Sequence, residues 1–243
     1  MNHYFITGAS RGIGRALVER ALKDEDARVV GFSRSTSITH SHYTHVETDL
    51  SDIDGLLSKG NELFPVLEDA QRIVLINNAG TLGDIKYLGE TDPTSIVSLF
   101  SLNVIAPTLL MNAFLGQYQS TSAGKLIINV SSGAGKHPID GWSGYCSSKA
   151  ALDMVSQVAH PEGRKRENNV RVYALAPGVV DTDMQAHVRG SDAHDFSTLD
   201  KFLNYHAKNA LDDPAATAEK FFQLIQHPEQ YDEVLQDVRE FKP

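Results

Sequence analysis

Near its amino terminus the chain reads Tyr4-Phe5-Ile6-Thr7-Gly8-Ala9-Ser10-Arg11-Gly12-Ile13-Gly14. Large apolar residues run directly into a segment with three glycines. Beyond it Ile13, Leu17 and Leu22 share one stripe of a helix. A buried strand, a tight turn and an amphipathic helix are predicted in that order. The spacing is Gly-x-x-x-Gly-x-Gly. Glycines let a backbone turn sharply and approach a pyrophosphate, while the helix N-terminus offers unpaired N–H groups. Ser10 and Arg11 add side chains able to touch phosphate.

The same alternation continues outward. Arg28–Phe32, Thr44–Thr48, Arg72–Ile76, Leu126–Val130 and Val170–Leu175 are short β-branched or apolar runs, as strands covered on both faces require. A last strand is expected near Tyr231–Leu235. Ile96, Leu99, Phe100, Val104, Leu110, Met111 and Phe114 keep helical spacing over five turns, with Pro107 expected to kink the helix or be tolerated locally. A helix beginning near Tyr145 continues through Ala150–Val158, and His160-Pro161-Glu162-Gly163 should end or disturb it. Strands alternating with helices predict an α/β fold: one doubly wound parallel sheet of the Rossmann type, with right-handed crossovers and strand order 3-2-1-4-5-6-7. Residues 185–213 are the least regular part. As an insertion at the carboxyl edge of the sheet, they are where a substrate lid belongs.

Composition excludes other classes. The chain has 243 residues, enough for a full core, and no linker divides it, so residues 1–243 read as one domain. Its single cysteine, Cys146, rules out a disulfide framework or a cysteine-rich metal cluster. A net charge of −9 argues against nucleic acid as partner. No apolar run approaches the ~20 residues of a membrane span. The start has no basic segment followed by a long apolar stretch, so a cytoplasmic location is expected. His40, His42 and His45 lie in a polar loop without an acidic or thiol cluster, so no metal is expected. Arg164-Lys165-Arg166 reads as a solvated helix end, and Cys146 as a small packed residue.

Phe32-Ser33-Arg34 closes the second strand. In a nucleotide fold the residue there faces the adenosine ribose, where an acid would accept from the 2′-hydroxyl and repel a 2′-phosphate. Here a hydroxyl and a guanidinium stand instead, and no acid follows until Glu47. Arginine makes charge-assisted bonds to phosphate, so NADPH/NADP+ is the expected cofactor.

With these residues in place the chain resembles the classical short-chain dehydrogenase/reductase family over nearly its whole length. Thr7-Gly8-x-x-x-Gly12-x-Gly14, Asn77-Asn78-Ala79-Gly80, Ser132 with Tyr145-x-x-x-Lys149, Pro177-Gly178-Val179-Val180-x-Thr182, and Asn103 match its motifs in order. Within it, Ser131–Lys136, Gly141-Trp142-x-Gly144-Tyr145-Cys146, the run from Pro177 to Gln185, and Asp195-Phe196-x-x-Leu199-Asp200-x-Phe202 resemble the bacterial benzil reductase group, and more distantly the sepiapterin reductases. The resemblance implies a cofactor site from Ile6, Gly8, Ser10–Gly14, Ser33, Arg34, Asp49, Leu50, Asn78, Ala79, Gly80, Tyr145, Lys149, Pro177, Gly178, Val180 and Thr182. It also implies an Asn103 that positions a water linking Lys149 to solvent, and a homodimer or larger homo-oligomer formed through the 96–114 helix. The interruption at His160–Gly163 and the patchy match of the lid are departures from the family pattern.

The chemistry follows from the residue types. Reducing a carbonyl requires a proton for its oxygen as hydride reaches its carbon. Tyr145 and Lys149, four apart, share a helix face. Moving a phenol from its ordinary pKa of about 10 to near 7 takes roughly 4 kcal/mol. One ammonium about 4 Å away supplies a similar amount at an effective dielectric of 20. Lys149 is therefore expected to tune Tyr145, and also to hold the nicotinamide ribose. Ser132 can donate to the substrate oxygen as charge develops there. Gly133, His137, Trp142 and Met184, with Phe202 and Tyr205, are candidates for the pocket wall. The expected activity is NADPH-dependent reduction of one carbonyl of a 1,2-diketone, benzil to (S)-benzoin in type. The alternatives are another ketone such as a pterin side chain, or a non-catalytic NADP-binding sensor.

Overall fold

A computed structural model describes residues 1–165 and 169–241, less the side chain of Asn61. The apolar runs pair side by side because each must be covered on both faces. β1 (Asn2–Thr7), β2 (Ala27–Ser33), β3 (Tyr43–Glu47), β4 (Arg72–Asn77), β5 (Gly124–Val130), β6 (Val170–Ala176) and β7 (Leu235–Asp237) form one parallel sheet in the order β3-β2-β1-β4-β5-β6-β7. Alternation along β1 sends Tyr4 and Ile6 to one face and Phe5 to the other. The first face is covered by α1 (Gly12–Ala21) and α8 (Pro214–Gln226). On the second, Phe5, Phe32, Phe64, Phe114 and Tyr118 form an aromatic cluster with mostly edge-on contacts, the closest being Phe5–Phe64 at 5.1 Å.

The last strand starts at Leu235, later than its expected start near Tyr231. Pro228–Gln230 form a 3₁₀ turn, and the Tyr173 hydroxyl donates to the carbonyls of Pro228 and Tyr231. That bonding uses up the backbone where a strand was expected.

Helix boundaries follow capping chemistry. Asp52 opens α2 (Ile53–Lys59) by accepting from the Gly55 N–H, and Asp92 opens α3 (Pro93–Phe100) by accepting from Thr94. Asp213 opens α8 by accepting from Ala215 and Ala216, with Pro214 at the first turn. Between α3 and α4 (Ala106–Gln117) the turn widens to a π-helix over Ser101–Ile105. This is how Pro107 is accommodated: it has no N–H for the Asn103 carbonyl four residues back, and the wider turn relieves its ring. The rod Pro93–Gln117 is long and apolar enough, by length and composition, to cross a membrane, so the expectation that no such run exists does not hold. One face of that rod supplies Ala106, Leu110, Met111 and Phe114 to the core.

The helix expected to end or be disturbed at His160–Gly163 runs on. α5 spans Ser143–Lys165 with Pro161 inside it. Packing on β6 overrides the proline. His160 Nδ1 lies 2.8 Å from the Val172 carbonyl oxygen, and a side chain at Gly163 would begin 2.1 Å from Val170 Cγ1. Arg164 and Lys165 are exposed as expected; Arg166 lies outside the described residues. Residues 185–213 are more ordered in form than their sequence suggests. They contain most of α6 (Asp183–Arg189) and all of α7 (Leu199–Ala207). A parallel bridge between Val180 and Asp212 ties the segment's two ends together.

The turn after β1 tests the glycine argument. Gly8 has φ +66, and a Cβ on Gly14 would stand 2.2 Å from the Gly8 carbonyl oxygen. Gly14→Ala is expected to cost roughly 1–3 kcal/mol of stability, read by urea unfolding, as overpacking in a tight site does.

Candidate active site

Every chemistry-bearing segment meets at the carboxyl edge of the sheet. The Thr7 hydroxyl accepts from the backbone N–H groups of Asn78 and Ala79, both at 2.9 Å, so the ends of β1 and β4 are joined by one oxygen. Asn78 Nδ2 donates to the Thr7 carbonyl at 3.0 Å. Asn77 donates to Asn129, and Asn129 to Ser156, each at 2.8 Å, which links β4 to β5 and to α5. The glycine turn faces the loop after β6: a Cβ on Gly12 would begin 3.3 Å from Thr182 Cγ2. Arg11 crosses the same gap to Asp183 at 2.9 Å, with both side chains exposed. Arg11 is the N-cap of α1, yet no side chain caps that helix. The first N–H groups of α1 are therefore presented to the cleft, and the missing Cβ atoms leave the room a pyrophosphate needs.

The other expected cofactor positions are arranged unevenly. Ile6 is wholly buried, so only its peptide can meet a ligand. Ser33 is buried and its hydroxyl donates to the Ser35 carbonyl at 2.8 Å, beside His45 Nε2 at 3.2 Å. Arg34, next to it, is exposed. Asp49 is bonded to the Ser51 backbone and hydroxyl, which holds its carboxyl below the usual range, and Leu50 is buried in the core.

β5 ends at Val130 and delivers Ser131 and Ser132, while α5 delivers Tyr145 and Lys149. Ser132 is hydrogen-bonded to the Tyr145 side chain, and its oxygen also accepts from the Ala134 N–H at 3.2 Å. Lys149 is 4% exposed; its Nζ donates to the Val130 carbonyl at 2.7 Å and lies 5.7 Å from the centre of the Tyr145 ring. Asn103, on the π-helix, accepts from the Thr81 N–H and donates to the Thr81 carbonyl and to Ser148. A Cβ on Gly80 would begin 3.3 Å from Asn103 Oδ1 and 3.6 Å from Lys149 Nζ, so the two side chains converge on that glycine.

The ionisation state differs from the expectation. Burial pushes the Tyr145 phenol up to about 12, opposed by the Ser132 hydrogen bond. Burial in turn brings Lys149 down to about 8, while the Asp153 carboxylate opposes the fall. Desolvation dominates at both groups because both are buried. Left to the protein's own groups, Tyr145 holds its proton at neutral pH, the state a proton donor must be in.

Trp142 joins Tyr145 to the 185–213 segment. Its ring meets Tyr145 edge-on at 5.4 Å, stacks on Phe196 at 5.0 Å and touches Phe202 at 5.4 Å. Met184 is partly buried against this cluster, and Tyr205 lies 6.2 Å from Phe202. Asp140 fastens the tip of the lid by accepting from the Ser197 N–H and hydroxyl, both at 2.9 Å. His137 is exposed and lies at the rim. Burial raises the Cys146 thiol, which is consistent with a packed residue. Two residues escaped the sequence reading. Asp153 is buried and bonded to the Ser131 hydroxyl. Arg239 stands beside Gly133 and Gly178. Its only signal in the sequence is a charge just beyond the last strand.

Fold and site together define a nucleotide-dependent oxidoreductase, and comparison with known proteins agrees. The family model for short chain dehydrogenase matches residues 2–193. The chain belongs to the short-chain dehydrogenase family. It is 34% identical over 244 residues to "Benzil reductase ((S)-benzoin forming)" of Bacillus subtilis, covering 99% of this chain and 100% of that protein. It is 32% identical to the sepiapterin reductase of Bos taurus, covering 91% of this chain and 88% of that one. Among solved structures, the YIR035C short chain dehydrogenase/reductase of Saccharomyces cerevisiae superposes with a TM-score of 0.82 at 26% identity, over 99% of this chain and 97% of that one.

Trp142→Ala should cost about 3–5 kcal/mol in chemical unfolding, as truncation of a large buried aromatic does. Trp142→Phe, which keeps a ring between Tyr145 and Phe196, should recover most of it.

Proposed function

We propose that this protein is an NADPH-dependent reductase of one carbonyl of a 1,2-diketone, acting as a homodimer in the cytoplasm. One observation carries the chemistry: a protonated phenol, a serine hydroxyl and a buried ammonium gathered at the sheet edge, beside a turn built for a pyrophosphate. The benzil reductase of Bacillus subtilis, similar over its full length, supports the diketone. The exposed guanidinium of Arg34 at the end of β2 supports a cofactor with a 2′-phosphate. Exposed Val97 and Ile105 on the Pro93–Gln117 rod, with Met154 and Val158 on α5, support pairing of two copies across those helices.

When bound, the nicotinamide supplies a hydride to the carbonyl carbon. The chain's own residues do the rest. The α1 N-terminus and the glycine turn hold the phosphates. Lys149 and Tyr145 hold the nicotinamide ribose, and the segment Pro177–Thr182 borders the ring. Ser132 donates to the substrate oxygen, and Tyr145 gives it a proton. Lys149, charged below about pH 8, steadies the phenolate left behind and returns a proton from solvent. Asn103, which faces Lys149 across Gly80, holds the water that completes that route.

The test is NADPH oxidation with benzil. Tyr145→Phe should lower kcat by roughly 10²–10⁴-fold while NADPH affinity moves far less, as loss of a general acid does. Lys149 carries its charge below its pKa, so kcat/KM should be flat from pH 6 to about 8 and fall above it. A profile still flat at pH 10 would remove that charge from the mechanism. For the cofactor, Arg34→Ala should weaken NADPH binding roughly 10–100-fold, the worth of a hydrogen bond to a charged group, and leave NADH binding nearly unchanged by titration.

A further inference from the structure

The 3₁₀ turn Val238–Glu240, which follows β7, folds Arg239 back over the carboxyl edge of the sheet. Asp237 accepts from the Arg239 backbone N–H at 2.9 Å, from its Nε at 2.9 Å and from Nη2 at 2.5 Å. The aliphatic stem runs along Gly178: Cγ and Cδ lie 3.6 and 3.7 Å from the point where a side chain there would begin. The guanidinium ends at Gly133, with Nη2 4.0 Å from the equivalent point. No other atom of the described residues beyond Gly133's chain neighbours lies within 4 Å of that point. Gly133 directly follows Ser132, and Gly178 belongs to the segment expected to border the nicotinamide. Arg239 therefore forms a wall of the substrate cleft one residue along from the group that receives the reacting oxygen.

Two features say what this wall recognises. The first is the way the guanidinium is used. Asp237 occupies the edge formed by Nε and Nη2, which leaves the Nη1–Nη2 end of the fork for another acceptor. The Arg239 side chain is 58% exposed while that of Asp237 is 11% exposed, so the carboxylate is the buried anchor and the guanidinium the presented group. The second is charge balance. Asp237 neutralises Arg239. Lys136 acts electrostatically on Asp237 and Glu240 on Arg239, while Asp212 Oδ2 lies 3.0 Å from the Gly178 side-chain position, so basic groups are not in excess here. A wall with no positive excess and free N–H donors suits a neutral oxygen acceptor better than an anion.

We propose that Arg239 is a specificity-determining binding residue: it donates a hydrogen bond to a second oxygen adjoining the carbonyl held by Ser132 and Tyr145, and so selects vicinal dicarbonyls over simple ketones. Asp237 is its positioning residue. The absence of a side chain at Gly133 leaves the second oxygen a path to Nη2. The inference rests on the carbonyl-reductase reading above and supplies the reason for its diketone preference.

The experiment compares kcat/KM for benzil with that for 2,2,2-trifluoroacetophenone, an activated ketone that lacks a second oxygen. In Arg239→Met the ratio of benzil to trifluoroketone should fall roughly 10–100-fold, the value of one hydrogen bond to a charged donor. Arg239→Lys should restore part of it. Equal losses on both ketones would mark Arg239 as structural and overturn the proposal, as would no loss on either. A wild-type protein that reduces neither ketone in the presence of NADPH would overturn the carbonyl-reductase reading, and this inference with it.

Discussion

An ammonium group taken out of water is unstable unless its surroundings replace the lost solvation. Lys149, 4% exposed, meets this condition through the Val130 carbonyl at the end of β5, and by facing Asn103 across Gly80. Both partners have to be where they are. Val130 is placed by the register of β5 between β4 and β6. Asn103 is placed by a π turn that Pro107 imposes on an otherwise continuous rod. Asp153, one turn beyond Lys149 on α5, holds Ser131 and fills the space a Cβ on Gly135 would need. The loop bearing Ser132 is thus fastened to the helix bearing Tyr145 and Lys149.

The same economy of contacts links the lid to the chemistry. Trp142 has Tyr145 on one side and the lid residues Phe196 and Phe202 on the other. A shift of the 185–213 segment would therefore change the packing around the Tyr145 phenol. Bonds from Asp140 to Ser197, and the ion pair of Lys86 with Asp195 at 3.4 Å, hold the tip of the lid from outside the cleft. Each of these surface interactions is individually weak.

Relatives named as reductases of an aromatic diketone and of a pterin share this scaffold at similar identity. In this chain the aromatic plate offers apolar surface beside Tyr145, and Arg239 a directed donor beside Gly133.

The amino-acid sequence by itself determined the parallel α/β order, the phosphate turn and the Ser132–Tyr145–Lys149 group, because these depend on local spacing: a glycine where a Cβ cannot fit, a four-residue step along a helix, a β-branched run buried on both faces. Only the tertiary structure decided the rest. It carried α5 through Pro161, since packing against β6 outweighs one missing hydrogen bond. It set the phenol above its ordinary pKa and the ammonium below, since desolvation depends on what surrounds a group in three dimensions and not on its neighbours in the chain. It also brought Arg239 to the carboxyl edge of the sheet, since a residue after the last strand reaches Gly133, next to Ser132, only when β7 has been laid beside β6.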